Sequence, residues 1–327
     1  KDGVTLSATN LEMGIRTQVG AKVTTAGSLT VPARNLTEFV SSLSGQNIEL
    51  EEQESKLQVS AGKFRASFAG IDAKEFPLLP PAVSQGQTID AGLIGLIAAQ
   101  VAYAAAVDES RPVLTGVKFS VTGSQLTVTA TDGFRLARKE FPGSSIKNLT
   151  SIIMPAKTIQ EVARIASDSG EKEIKIEVVE KNNQVIFSCG ATDLISRILE
   201  GNYPDTEKIV PVDSPVEAIV DRQEFSQSLR AVSIFARDNN NIVRFRLGDS
   251  KFKLTAQAPQ QGESEVEIEA ETSGEGEIAF NYKFVAEVLG SITEERIRLQ
   301  MKDHLSPGVF KPEKDTSLLS LVMPVRI

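Results

Sequence analysis

The segment Leu126-Thr127-Val128-Thr129-Ala130-Thr131-Asp132 occurs in related form three times along the chain. Its counterparts are Val4-Thr5-Leu6-Ser7-Ala8-Thr9-Asn10 and Phe252-Lys253-Leu254-Thr255-Ala256-Gln257-Ala258. In all three, side chains alternate with a period of two, which is typical of a β-strand with one buried face. Self-similarity at a long spacing indicates a chain built from repeated units. The sequence therefore predicts three similar domains.

A second repeated block predicts one helix in each copy. Apolar residues in this block fall at helical spacing, and Pro32 and Pro155 suit the first turn of a helix. Each copy also carries a basic residue followed four positions later by a glutamate, the spacing of an ion pair on one helix face. The recurring pairs are Arg34 and Glu38, Lys157 and Glu161, and Lys283 and Glu287.

A third block consists of alternating strand segments and closes each copy, beginning at Ile48, Ile174 and Ile297. Helices and strands therefore follow one another in the same order in each copy, which predicts an α+β architecture. The predicted domains are residues 1–84, 85–211 and 212–327.

The second and third copies open with a further helical segment, Asp90–Val107 and Asp221–Ala236, each with an aspartate at the N-cap position. The first copy has no counterpart, and comparison with the second indicates that roughly 35 residues are missing at its front. The segment Asp90–Val107 is rich in alanine and could be interpreted as a membrane span. Gly92, Gly95 and Gln100 argue against that interpretation, as do the charged residues of its counterpart.

The composition excludes several classes of protein. The 327 residues include one cysteine, Cys189, and one histidine, His304. An intrachain disulfide and a zinc site of several His and Cys ligands are therefore impossible, and a reducing compartment is indicated. The sequence contains neither a P-loop nor a G-x-S-x-G motif. We expect a non-catalytic protein with no metal or cofactor, in which Cys189 is buried in a strand and His304 lies in an exposed turn.

The net charge of −8 does not by itself exclude nucleic acid binding, because its distribution is uneven. Glutamates occupy every second position from Glu263 to Glu271, which predicts a solvated outer face of a strand. The predicted helices supply basic side chains instead. These are Arg34, Lys157, Arg164, Arg222, Arg230, Arg237 and Lys283.

Five motifs carry a resemblance to a known family. They are Val31-Pro32-Ala33-Arg34, Asp108–Gly116, Thr129–Ala137, Gly201–Asp205 and Val322–Ile327. With the threefold repeat, they make the chain resemble the bacterial DNA polymerase III beta subunits, the processivity sliding clamps. The resemblance implies three repeated clamp domains with helices on the inner face and antiparallel sheets outside. It further implies that two chains close head to tail into a ring dimer around DNA.

The same resemblance implies the partners. Double-stranded DNA would be encircled without sequence preference, and the homodimer would tether the replicative DNA polymerase alpha subunit. The clamp loader, other polymerases and repair proteins with clamp-binding peptides would use the same pocket. A cytoplasmic protein, associated with the nucleoid during replication and not with a membrane, is expected. The DNA contacts would be Arg34, Lys157, Arg164 and Lys283 on the helices and Arg111, Pro112 and Val113 in a loop.

By the resemblance, a hydrophobic pocket between the second and third domains would bind the partner peptides. Its walls would be Leu114, Thr131, Gly133, Phe134, Arg135 and Leu136, then Pro204, Lys208 and Ile209, then Asn281, Phe284, Leu305 and Pro307, and finally Leu321, Val322, Met323, Pro324, Val325, Arg326 and Ile327. Arg135 and Arg326 would lie at its rim. Alternatively, Leu136, Ile209, Val322 and Met323 are core residues. Phe134 replaces a polar residue that some members have.

The ring interface would use Phe64 and Ala66 of the first domain and Ile234 and Phe235 of the third. Packing within the domain cores is the alternative for these residues. A second function also remains open from the residues alone. A repeat-built scaffold for protein interactions, with no passage for DNA, would show the same threefold pattern.

Overall fold

The computed structural model describes residues 3–43, 45, 47–83, 86–143 and 151–326. The helices are α1 (Ala33–Ser41), α2 (Ala91–Gln100), α3 (Ala156–Ser169), α4 (Arg222–Ala236) and α5 (Tyr282–Ser291). The strands are β1 (Gly3–Thr9), β2 (Met13–Gly20), β3 (Leu29–Thr30), β4 (Glu49–Gln53), β5 (Lys56–Ala61), β6 (Phe64–Ala69), β7 (Ile71–Asp72), β8 (Gln87–Asp90), β9 (Gly116–Thr122), β10 (Gln125–Thr131), β11 (Arg135–Pro142), β12 (Ile152–Pro155), β13 (Glu173–Val179), β14 (Gln184–Cys189), β15 (Thr192–Arg197), β16 (Val216–Asp221), β17 (Ile242–Gly248), β18 (Lys251–Ala258), β19 (Gly262–Glu269), β20 (Glu271–Ser273), β21 (Gly276–Asn281), β22 (Arg296–Met301), β23 (Gly308–Pro312) and β24 (Leu318–Val322).

The chain forms two compact units. The first contains Lys1–Gly86 together with Lys175–Ser196, and the second contains Gln87–Ile174 together with Arg197–Ile327. Each unit therefore combines strands from two neighbouring copies of the repeat. The three repeated segments quoted above form the strands β1, β10 and β18, which confirms the predicted strand assignment.

In the first unit, an antiparallel sheet joins strands of the first and second copies in the order β1-β2-β15-β14-β13. Strand β2 pairs with β15 from Met13 opposite Ser196 to Thr17 opposite Thr192. The guanidinium of Arg16 lies 2.9 Å from the Asp193 carboxylate across this joint. A smaller sheet, β4-β5-β6, packs against α1 through an edge-to-face contact of Phe39 and Phe68.

In the second unit, the described strands form a nine-stranded sheet in the order β12-β9-β10-β11-β24-β23-β22-β16-β20. The second and third copies meet where β11 pairs with β24, from Arg135 opposite Val322 to Lys139 opposite Leu318. This joint has the same construction as the pairing of β2 with β15. Leu136 and Leu321 are buried together with Val309 beneath it.

A four-stranded sheet, β19-β18-β17-β21, and the helices α4 and α5 enclose the core of the third copy. Phe225, Phe245, Phe252 and Phe280 are fully buried there and meet edge to face at centroid distances of 4.9–5.8 Å. Buried aromatic rings supply a large hydrophobic contribution to folding. The core therefore fixes this sheet against its helices.

The helix boundaries follow the capping residues. Asp90 and Asp221 cap α2 and α4, as predicted, by accepting hydrogen bonds from the backbone N–H of Gly92 and Glu224. Pro32 and Pro155 are N-caps, one residue earlier than the predicted first turn.

The helix predicted over Asp90–Val107 ends at Gln100, because the backbone of Val101 leaves the helical region with φ −126°. A short 3₁₀ turn over Ala102–Ala104 follows. No helix in the described part of the chain has the length and hydrophobicity that a membrane span requires.

The burial of the repeated strands differs between copies. Strand β18 buries alternate side chains, as predicted, and β10 does so from Gln125 to Val128 but buries every residue from Val128 to Thr131, whereas β1 has no buried residue. In the third copy, Phe225 of α4 covers Phe252 of β18. The predicted buried face of β1 is not found among the described residues.

Other predictions on single residues are confirmed. The glutamates of β19, together with Glu271 in β20, are exposed, and Cys189 is buried. His304 is exposed in a turn.

Candidate functional site

The turn between β10 and β11 is held rigidly by its own side chains. The Asp132 carboxylate accepts hydrogen bonds from the backbone N–H of Phe134 (2.8 Å) and of Arg135 (3.0 Å). The Thr131 hydroxyl donates to the Arg135 carbonyl at 2.6 Å. Gly133 has a φ of +92°, a conformation that favours glycine. The turn thus presents the Phe134 side chain, which is 59% exposed, in a fixed position.

Tyr203 anchors the same turn from the segment that links the second and third copies. Its hydroxyl accepts a hydrogen bond from the backbone N–H of Thr131 at 3.0 Å. Burial raises the pKa of Tyr203 well above its usual range, so the hydroxyl keeps its proton. The hydroxyl oxygen lies 3.4 Å from the carbonyl oxygens of Gly116 and of Thr129, either of which can accept its proton.

The C-terminal tail is tied to both domains by its backbone. The N–H of Met323 donates to the Phe134 carbonyl of the second copy, and the N–H of Val325 donates to the Ala279 carbonyl of the third, both at 2.8 Å. Arg326 is exposed. The tail therefore lies against the joint of β11 and β24. Ile327, which the sequence predicts in the pocket, lies outside the described residues.

Exposed and half-buried apolar side chains surround this joint. Phe134 stacks on Phe284 of α5, with ring centroids 6.4 Å apart and an angle of 16° between the planes. Met323 follows β24 directly, and Pro307 precedes Gly308, which pairs with Val322. The exposed members of the predicted pocket are Gly133, Phe134, Pro204, Lys208, Ile209, Leu305, Met323 and Arg326, and the half-buried ones are Asn281, Phe284, Pro307, Pro324 and Val325.

The remaining predicted pocket residues are buried and support the surface from below. They are Leu114, Thr131, Arg135, Leu136, Leu321 and Val322. The alternative interpretation as core residues therefore fits Leu136 and Val322, whereas Ile209 and Met323 are exposed.

Arg135 does not lie at a rim, because only 8% of the residue is exposed. Its guanidinium is paired with Asp132 at 3.1 Å and with Glu287 of α5. Glu287 is thereby engaged away from Lys283, so the predicted pair of Lys283 and Glu287 is not formed. Burial of a charged side chain requires such partners.

The predicted DNA-contact residues on the helices are exposed but differ in their partners, whereas Arg222 is half-buried and donates to the Glu294 carbonyl at 3.0 Å. Arg34 forms the predicted pair with Glu38 at 3.0 Å. Lys157 is exposed, and Glu161 is paired with Arg164 at 2.6 Å instead of with Lys157. The hydrogen bond from Arg164 lowers the pKa of Glu161.

Arg164 also meets Asp168 at 2.5 Å, so two carboxylates already neutralise its charge. Lys283 is exposed at the first turn of α5. In the predicted DNA loop, Arg111 is exposed and donates to the Asp132 carbonyl at 3.0 Å. Pro112 is exposed, and Val113 is half-buried.

The four predicted interface residues lie at the surface. Ile234 is 58% and Phe64 is 40% exposed, which rules out the core interpretation for these two. Ala66 is half-buried, and Phe235 packs in part on the core of the third copy. Among the described residues, no group of His, Cys, Asp and Glu side chains could hold a metal ion.

Comparison with known proteins agrees with this geometry. Models of the N-terminal, central and C-terminal domains of the DNA polymerase III beta subunit match residues 1–80, 89–205 and 207–326. The Staphylococcus aureus protein named beta sliding clamp is 30% identical over 310 residues, which are 93% of this chain and 81% of that protein. The chain belongs to the DNA polymerase III beta subunit family.

Solved structures of this family have the same fold. The beta subunit of Thermotoga maritima is 27% identical, with a TM-score of 0.91 over 100% of this chain and 89% of that chain. The sliding clamp of Bacillus subtilis is 28% identical, with a TM-score of 0.88 over the same shares. The resemblance found in the sequence is confirmed. The chain is a DNA sliding clamp, a non-catalytic processivity factor that works with DNA polymerase III.

Several residues that build this beta subunit site were not predicted from the sequence. Tyr103, Glu287 and Lys139 make contacts between residues far apart in the chain, and no periodicity or spacing signals such contacts. Tyr203 lies within the quoted motif Gly201–Asp205, so its importance could have been found there. The hydrogen bond by which Tyr203 anchors the turn could not have been predicted from the sequence.

Replacing Tyr203 with Phe is expected to lower the free energy of unfolding by about 1–3 kcal/mol, because the N–H of Thr131 loses its acceptor in a buried place. Chemical denaturation of both proteins measures the difference. Tyr282→Phe is the matched control, since its hydroxyl makes no hydrogen bond to the described residues, and it should change the stability by less than about 0.5 kcal/mol. Equal effects of the two substitutions would contradict the anchoring role of Tyr203.

Proposed function

We propose that two copies of the chain close head to tail into a ring, the homodimer that the sequence predicts. Support comes from the two strand joints. Strands β2 and β11 correspond in the repeat, and they pair with β15 and β24, which also correspond. The third copy's equivalent of β2 and β11 is β19, and the first copy's equivalent of β15 and β24 is β6.

Both of these strands lie at sheet edges in the described residues. Pairing β19 of one chain with β6 of a second would repeat the same joint and cover two edges that otherwise favour aggregation.

The chemistry of the two edges supports this pairing. The β19 edge carries Glu263, Glu265 and Glu267, the last two already paired with Lys253 and Lys251 of β18, whereas the turn into β6 and the strand itself carry Lys63 and Arg65. The apolar residues Phe64 and Ala66 on β6 and Ile234 and Phe235 on α4 supply surface that excludes water. These four residues are our candidates for the centre of the ring interface. The charged residues of β19 and β6 would surround them.

The proposed ring encircles double-stranded DNA with its helices turned inward. The observation that carries this proposal is the recurrence of an exposed cation, Arg34, Lys157 or Lys283, at one helical position in every copy. Because the ring would make few contacts, all of them to phosphates, it could slide along the duplex. The closed ring around the DNA, rather than a high binding affinity, would keep it from dissociating. Arg111, with Pro112 and Val113 beside it, is a further candidate contact. Arg164 should contribute less, because Glu161 and Asp168 neutralise it.

The apolar surface at the joint of β11 and β24 is the proposed docking site for partner peptides. It combines the exposed Phe134, Ile209, Leu305 and Met323 with buried support, a composition typical of peptide-binding sites. Lys208 and Arg326 lie at its polar edge. The proposed occupants are peptides of the replicative polymerase alpha subunit, the clamp loader, other polymerases and repair proteins. A cytoplasmic location and domain boundaries at residues 84 and 211 complete the proposal.

The ring is tested on circular DNA. The wild-type protein, loaded on a nicked circle, should remain bound during gel filtration and dissociate once the circle is cut. Ile234→Glu places a charge in the proposed interface and should yield a monomer by light scattering that is not retained on circles. Leu78→Glu is the control, since Leu78 is 99% exposed and lies outside the proposed interface. A wild-type protein that escapes equally from intact and cut circles would point to the alternative scaffold without DNA passage.

The DNA contacts are tested by the salt dependence of binding to duplex DNA. Lys157→Ala and Lys283→Ala should each lower the slope of log K against log salt by about 0.9 for each phosphate that the lysine neutralises in the wild type. Fluorescence anisotropy across a salt series measures this slope. Arg164→Ala should leave the slope nearly unchanged, because its charge is already compensated. Identical slopes for Lys157→Ala and wild type would show that Lys157 does not contact the DNA.

The pocket is tested by deleting Met323–Ile327. We expect this deletion to abolish binding of a fluorescein-labelled peptide from the carboxyl-terminal region of the polymerase alpha subunit, because the tail supplies one wall. Dimerisation should survive, since β6 and β19 are unchanged. Anisotropy and light scattering report the two properties separately, and an unaltered peptide affinity would refute the site.

A further inference from the structure

Arg135 is the most completely enclosed cation near the proposed pocket. Its charge is balanced by Asp132 on its own turn and by Glu287 on α5. Because only 8% of Arg135 is exposed, its guanidinium offers almost no surface that a ligand could reach. Its position in the proposed pocket therefore needs a different explanation from direct contact with a peptide.

The Arg135 guanidinium lies over two aromatic rings. Its central carbon is 4.9 Å from the centroid of Phe284 and 5.6 Å from that of Tyr103. A cation–π contact is strengthened when the arginine is removed from water, as it is here. Because Phe284 and Glu287 are three residues apart on α5, they share one helix face, and Arg135 contacts both.

The contacts continue from Arg135 to the surface. Phe284 is half-buried and stacks on Phe134, whose carbonyl accepts the hydrogen bond from Met323 of the tail. The buried cation thus touches the inner ring of an aromatic pair, and the outer ring of that pair is exposed beside the tail. Any displacement of the Phe284 ring would move the surface that Phe134 presents.

We propose that Arg135 is a positioning residue of the partner-peptide site, which holds the Phe284 ring through its planar guanidinium and thereby sets the Phe134–Phe284 surface without touching the peptide. The inference rests on the proposed pocket. It distinguishes two roles of the guanidinium, namely its charge, which stabilises the joint of β11 and β24, and its planarity, which orders the aromatic pair. Lysine can replace the first role but not the second.

Lys139 provides a matched control. It lies on the same strand, β11, is 6% exposed, and its ammonium meets Asp315 at 2.9 Å and Ser317 at 3.2 Å. It is thus a second buried cation that ties the second copy to the third. Its ring contact in the structure is with Phe141, at 5.8 Å, and not with the Phe134–Phe284 pair.

The experiment compares Arg135→Met, Arg135→Lys and Lys139→Met in the full chain. Thermal unfolding measures stability, and anisotropy measures the affinity for the same labelled polymerase peptide. Both methionine variants should lower the unfolding temperature, because each leaves carboxylates without their cation. Arg135→Met should weaken the peptide affinity by about tenfold, and Lys139→Met by less than about twofold.

Arg135→Lys decides between charge and planarity. We expect it to recover most of the stability that Arg135→Met removes, while the peptide affinity remains weak. Full recovery of affinity in Arg135→Lys, or equal loss of affinity in the two methionine variants, would overturn the positioning role. If Arg135→Met does not fold, Arg135→Lys and Lys139→Met still give this comparison. Failure of the wild-type protein to bind the peptide would instead count against the proposed pocket.

Discussion

Antiparallel pairing between edge strands of consecutive copies is the interaction on which the rest of the structure depends. A repeat of this kind leaves a strand edge on each side, and an unpaired edge exposes a row of backbone donors and acceptors. The joints of β2 with β15 and of β11 with β24 satisfy four such edges within the chain. The second joint also brings the Phe134 turn, the tail and α5 together. The candidate docking surface is therefore a consequence of how the copies are joined.

The joint of β11 and β24 buries two cations, Arg135 and Lys139. Removing a charge from water costs several kcal/mol, and its ion pairs recover that cost only with good geometry. A buried ion pair therefore adds little to the free energy of unfolding, but it is favourable only when the two charged groups lie at the right distance and angle. Arg135 and Lys139 each reach a carboxylate of the third copy, Glu287 and Asp315. A shift along the strands would separate both ion pairs, so these pairs are compatible only with the observed register.

The sequence was informative where structure is local and periodic. Alternation predicted β10 and β18, and the aspartates Asp90 and Asp221 predicted the starts of α2 and α4. It failed where distant residues decide the outcome. The resemblance implied a rim position for Arg135, whereas Glu287, far away in the chain, makes the burial of Arg135 possible. The predicted length of α2 was wrong for the same reason. The chain turns after Gln100, and this turn brings the hydroxyl of Tyr103 within hydrogen-bond distance of Ser320, which is far away in the sequence.

A net charge of −8 and work on DNA are compatible in this molecule because the acidic side chains are concentrated on exposed strands such as β19, whereas α1, α3 and α5 each carry as many basic as acidic side chains. The glutamates of β19 are exposed, and two of them are paired with Lys251 and Lys253. The helices offer single cations that are widely spaced. Each phosphate contact steepens the salt dependence of binding and adds to the grip on DNA. A protein that slides along DNA needs a weak electrostatic attraction to the phosphates, because strong contacts would hold it at one position. The modest charge of the helices therefore fits retention by enclosure.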